Sequence, residues 1–168
     1  MNTETRSRAE DQPSARRAAR LAAVQALYQL EISGEKPDAA VLGEFPGRFA
    51  VETLDGGENP SFDRDFFADI VKGVVERKGE IDQLIAGALA RDLTVERLEL
   101  LLRVVLRAGT FEILARLDVP ARVALAEHVG ISHAFFAERE TGLVNGVLDK
   151  LARSLRAGEM QADAKTPR

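Results

Sequence analysis

Apolar positions along this chain recur every three or four residues, and no stretch of five or more alternates apolar with polar. That pattern predicts helices and no strands. The first helix opens at an N-cap on Ser14 and ends at Gly34 and Pro37. On a helical wheel with Arg16 at zero, Leu27, Val24, Tyr28, Leu21 and Ile32 fall between about 20° and 160°. Asp38 caps a short second helix through Val41, Leu42 and Phe45, interrupted by Pro46 and Gly47. Residues 52–61, with Asp55-Gly56-Gly57-Glu58-Asn59-Pro60 at their centre, read as a loop. Ser61 or Asp63 opens a third helix carrying Phe66, Phe67, Ile70, Val71, Val74 and Val75. Ile81, Leu84, Ile85, Ala88 and Leu89 continue the run, with Gly79 dividing it. Asp92 or Thr94 caps the most apolar helix, which runs from Leu98 to Leu114 and is expected at the centre. Asp118-Val119-Pro120 stops it and starts a helix over 121–136. A last helix over 141–155 lines up Val144, Leu148, Leu151 and Leu155, with Gly146 placed for close helix approach.

The class is therefore all-α, a compact bundle of about six or seven helices. A length of 168 residues suits one domain or two small helical subdomains. The boundaries are a disordered N-terminal arm over 1–13, a helical domain over 14–156 and a flexible polar tail over 157–168.

Three arginines change the picture of the first helix. Arg16, Arg20 and Arg17 fall near about 0°, 40° and 100° on the wheel, so they prolong the apolar face lengthwise. At the start of a helix the dipole disfavours cations, so an anionic ligand is one reason to find them there. Plain solvation of good helix formers is the other. Arg6 and Arg8 on the arm extend the positive patch. The chain as a whole is acidic, with net charge −4 and a pI near 5.3. A nucleic acid would have to be held by a local patch, or alongside a basic partner. Hydrophobic residues make up 45%, enough for a substantial core, and the absence of cysteine excludes disulfides and thiolate metal sites. A reducing cytoplasm is the default compartment. No run approaches the roughly 20 apolar residues of a membrane span, and residues 1–12 do not read as a secretory signal.

The usual catalytic constellations are missing. There is no phosphate-binding or dinucleotide glycine motif. Gly130-Ile131-Ser132-His133-Ala134 lacks the second glycine of a nucleophile elbow and lies in a helical pattern. His128 and His133 stand five apart, about 140° on a helix, so they do not share a metal. His128 reads as a core histidine and His133 as surface or a polar contact. Asp63, Asp65 and Asp69 suit the dipole of a helix start. Arg103 and Arg107 are expected to pair with Glu99 or Glu112, and Phe135 and Phe136 to be core, unless one is exposed to stack on a base.

Ala15-Arg16-Arg17-Ala18-Ala19-Arg20 followed by Ala23-Val24-Gln25-Ala26-Leu27-Tyr28 resembles the N-terminal signature of the NusB family of bacterial transcription antitermination factors. Similar stretches follow in order: Phe67 to Gly73, Ile81 to Ile85, Leu106 to Leu114, Val119-Pro120 with Val123-Ala124-Leu125, and Val144 to Ala152. The resemblance covers about Ala15 to Arg156 and implies a NusB-like helical fold without enzymatic activity, cofactor or metal. It implies binding of the single-stranded boxA element of ribosomal RNA transcripts together with the ribosomal protein NusE. Read-through by RNA polymerase, with other Nus factors, would follow. By position it points to Arg16, Arg17 and Arg20 as RNA contacts, with Gln25, Tyr28 and His133 as weaker candidates. Ala18 stands where members often carry a third consecutive arginine, and His133 where a lysine is common. NusB-like domains also occur fused to ribosomal RNA methyltransferases, but no glycine-rich α/β cofactor domain is present in this sequence. A helical scaffold or a helix-turn-helix regulator is the remaining alternative. Whether the protein is a monomer or a homodimer is left open by the sequence.

Overall fold

A computed structural model describes residues 3–39, 41–43 and 62–164 of the chain. The elements are α1 (Thr3–Ser33), α2 (Arg64–Glu76), α3 (Lys78–Ala88), a 3₁₀ turn (Val95–Arg97), α4 (Leu100–Ala115), α5 (Ala121–Phe135), α6 (Glu138–Leu155) and α7 (Ala157–Ala164). No strand occurs among the described residues, so the all-α reading holds. The chain divides into two units, Met1–Lys72 and Gly73–Arg168.

In the first unit α1 does not open at Ser14. Its backbone is helical from Thr3 and runs through Pro13. It ends where expected: Gly34 takes the left-handed φ of 72° and its N–H returns to the Leu30 carbonyl, a glycine stop that needs no Cβ. Leu21, Val24 and Leu27 are buried as the wheel predicts, but Tyr28 and Ile32 are 37% and 59% exposed. Ala18, Ala19, Ala22, Ala23 and Ala26 are buried instead. Small side chains let neighbouring backbone come close, and a reading weighted toward large apolar residues overlooks that face. Asp38 caps as expected, its Oδ1 accepting from the Val41 N–H at 2.9 Å. Asp63 likewise opens α2, accepting from the Phe66 N–H at 3.0 Å. Phe66, Phe67, Ile70 and Val71 follow as buried residues. Phe45, the Pro46-Gly47 break, Ser61 and the 52–61 loop lie outside the described residues.

In the second unit α4 is the centre, buried continuously from Val104 to Ile113, and α3, α5 and α6 all pack on it. Its largest wholly buried residues, Leu106 and Ile113, contribute about 1.5–3 kcal/mol each by leaving water. Close packing falls at Gly109, where an added Cβ would come within 2.8 Å of Leu148 and 3.2 Å of His128. Gly146, expected to play that part, has no neighbour within 4 Å of such a Cβ. The divide after α2 comes at Arg77, two residues before Gly79. Residues 157–164, expected to be loose, form α7, whose Met160 is buried. No helix among the described residues is long and apolar enough to cross a membrane.

Candidate nucleic-acid interface

With α1 beginning at Thr3, Arg16 lies more than three turns inside the helix at about 3.6 residues per turn. The dipole acts only over the first turn. The dipole argument for an anion at Arg16 therefore fails, and the arginines have to be judged by what surrounds them.

What surrounds them comes from the start of α2. The Asp63 N–H donates to the Ala15 carbonyl at 3.4 Å, tying the two helices at the level of the arginines. Asp63 Oδ2 stands 3.7 Å from Arg16 Nε, each side chain about a third exposed (31% and 32%). One turn along, the buried Phe66 ring lies under two cations: Arg16 Cζ at 4.8 Å from its centroid and Arg20 Cζ at 4.9 Å. The i, i+4 spacing of the arginines makes this possible, because it stacks them on one face of α1. The negative ring face attracts both guanidiniums and supports their planes.

The three arginines occupy three depths. Arg17 is exposed, Arg16 is half-buried and Arg20 is 3% exposed. Arg20 is thus a buried support against Phe66 and not part of the accessible surface. Gln25 is half-buried, and its Oε1 has no hydrogen-bond partner among the described residues. Tyr28 lies on the exposed side of α1 with Arg17, eleven residues and roughly 16 Å further along. His133 belongs to the second unit, exposed in the last turn of α5, where a helix terminus favours a basic side chain. The sequence did not disclose the parts of Asp63 and Phe66. Asp63 read as a helix-start carboxylate and Phe66 as core, and both readings are true. Their second role depends on α1 lying beside α2, which no local pattern encodes.

Elsewhere the side chains explain themselves structurally. His128 is buried with Nδ1 2.9 Å from the Ala124 carbonyl oxygen and 3.6 Å from Glu112. Since a carbonyl only accepts, Nδ1 carries the proton. Ser132 is buried and donates to the Val129 carbonyl at 2.6 Å, which leaves no nucleophile there. Arg107 pairs bidentately with Asp82 on α3, an acid outside the two expected. Arg103 donates to the Leu98 carbonyl, not to Glu99. Phe135 is the exposed member of its pair. No group of three or more potential ligands that could hold a metal occurs among the described residues. What α1 and α2 build can attract and orient an anion.

Comparison with known proteins agrees on one family. The family model described as the NusB family matches residues 17–153. A Bradyrhizobium protein called transcription antitermination protein NusB is 47% identical over 154 residues, covering 91% of this chain and 90% of its own. One of the same name from Nitrobacter hamburgensis is 46% identical over 144 residues, covering 86% and 89%. Among solved structures, Thermotoga maritima NusB superposes with a TM-score of 0.69 at 27% identity, over 87% of this chain and 96% of that one. A chain from a crystal structure of the antitermination factors NusB and NusE in complex with double-stranded RNA gives 0.65 at 26% identity, over 83% and 97%. The chain belongs to the NusB family.

Proposed function

We propose that this chain is an RNA-binding antitermination factor, which holds the boxA element of ribosomal RNA transcripts together with the ribosomal protein NusE. By doing so it promotes read-through by RNA polymerase, alongside further Nus factors, in the cytoplasm. It carries out no reaction of its own. The observation that supports the reading most directly is the layered arginine cluster on α1. Arg17 meets water, Arg16 is oriented by Asp63 and Phe66, and the buried Arg20 lies over the same ring. A fixed guanidinium loses little freedom on meeting a phosphate, so it discriminates by position better than a flexible lysine would. The related NusB found in complex with NusE and RNA supports extending this chemistry to the present chain. Tyr28, on the exposed side shared with Arg17, offers a ring on which an unpaired base can stack. Gln25 and His133 are secondary contacts in this reading.

The test is a fluorescence-anisotropy titration of boxA-like single-stranded RNA with NusE present. Arg17→Ala is expected to weaken binding by about tenfold, as for the loss of a charge-assisted hydrogen bond. It should also flatten the dependence of log Kd on log salt by roughly 0.7, the value of one single-strand phosphate contact. Unchanged affinity of a folded Arg17→Ala variant, or a wild-type affinity indifferent to salt, would refute the proposal.

A further inference from the structure

Asp63 is held from three directions within the first unit. Its Oδ1 accepts from the Phe66 N–H at 3.0 Å, its own N–H donates to the Ala15 carbonyl at 3.4 Å, and its Oδ2 faces Arg16. The first two bonds belong to the helix cap and the junction with α1, and they fix where the carboxylate sits. The third is a charge contact a third open to water, the kind that contributes little and exchanges readily. Phe66 meanwhile holds the Arg16 guanidinium over its ring, 4.8 Å from the centroid.

We infer that Asp63 is a specificity-determining residue of the RNA site, an internal anion that occupies Arg16 until a correctly placed phosphate replaces it. The inference rests on the RNA-binding reading above and adds what governs its selectivity. The cap prevents Asp63 from withdrawing, so an arriving phosphate competes for Arg16 against a carboxylate that stays nearby. A phosphate held in register by other contacts prevails. A phosphate on an unrelated strand, with nothing else to hold it, does not. Specificity then comes from a repulsive element built beside an attractive one.

Asp63→Asn separates the charge from the cap, because asparagine caps as well as aspartate. Affinities are measured for a boxA-like RNA and for a scrambled RNA of equal length, across a salt series. Asp63→Asn is expected to tighten the scrambled RNA by about two- to fivefold, the range of an exposed ion pair. The boxA-like RNA should gain less. The salt slope for the scrambled RNA should steepen by roughly 0.7, since Arg16 becomes one more phosphate contact. In an Arg16→Ala background the same change should do nothing. If wild type binds and Arg17→Ala weakens it, two results overturn the inference alone. One is that Asp63→Asn leaves the scrambled RNA unchanged or weaker; the other is that its gain persists without Arg16. If wild type binds neither RNA, the RNA-binding reading falls and takes the inference with it. Should Asp63→Asn fail to fold by circular dichroism, Asp63→Ser, which also caps, takes its place under the same criteria.

Discussion

Arg107 on α4 donates from Nε and Nη2 to the two oxygens of Asp82, at 2.7 and 2.8 Å. Its side chain is only 4% exposed, whereas Asp82 stays partly open to water. Removing the carboxylate takes the bidentate partner from a buried charge, and removing the charge leaves a carboxylate that water still reaches. Asp82→Ala is therefore expected to cost about 3 kcal/mol in urea unfolding, and Arg107→Met clearly less. Equal losses would mean that the guanidinium left without Asp82 carries no burial penalty. The sequence showed that Arg107 needed an acid but did not name Asp82, since it searched α4's own neighbourhood and Asp82 sits on α3. The same limit applied at the candidate RNA site. Arg16, Arg17 and Arg20 were legible as a group from their spacing, but their different depths were not. Depth depends on what α2 lays against α1, and Phe66 is forty-six residues beyond Arg20.

Helices whose periodicity is strong were legible nearly to their ends. The stops at Gly34 and Pro120 and the caps at Asp38 and Asp63 follow from local backbone chemistry. The short polar helix α7 was not, because its stability comes from contacts distant in sequence. Its Glu159 accepts the Ala121 N–H at the start of α5 at 3.0 Å and pairs with Arg156. The Ala121 N–H, then the Arg156 guanidinium, hold the Glu159 carboxyl below the usual glutamate range. A carboxylate depressed in the folded state stabilises it above the ordinary value, about 4.3. The contribution fades as pH falls from there through the lower folded value. Glu159→Gln should accordingly melt below wild type at neutral pH, with the gap closing under acid, as read by melting temperature at stepped pH. A gap that stays constant into acid would show that the hydrogen bond matters and the charge does not. Glycine positions divide the same way. Gly109 faces Leu148 and His128 across the α4, α5 and α6 packing, so Gly109→Ala is expected to cost about 1–3 kcal/mol by overpacking, measured by urea unfolding. Gly146→Ala, with nothing near its added Cβ and a better helix former in place, should be neutral or slightly stabilising.

Taken entire, the chain has a net charge of −4, and its field opposes the approach of any polyanion. At physiological salt that field is screened within about 8 Å. In the proposed function Arg17 and Arg16 therefore act on a phosphate already close by and add little to long-range steering. An acidic protein built this way gains RNA affinity most readily from a basic partner, which its own surface attracts and which supplies further phosphate contacts. In the proposed function that partner is NusE. RNA and NusE should then each raise the chain's affinity for the other by the same factor, on the order of tenfold, as linkage requires. Titrating labelled boxA-like RNA with and without saturating NusE gives one side of that cycle. Titrating NusE with and without RNA gives the other. Because the partner's phosphate contacts add to those of α1, the salt slope should be steeper for the ternary complex than for the chain alone. A ternary slope no steeper than the binary one would mean that the partner contributes fit, not charge. Affinities for RNA that ignore NusE altogether would remove the reason for an RNA-binding protein to carry so acidic a chain.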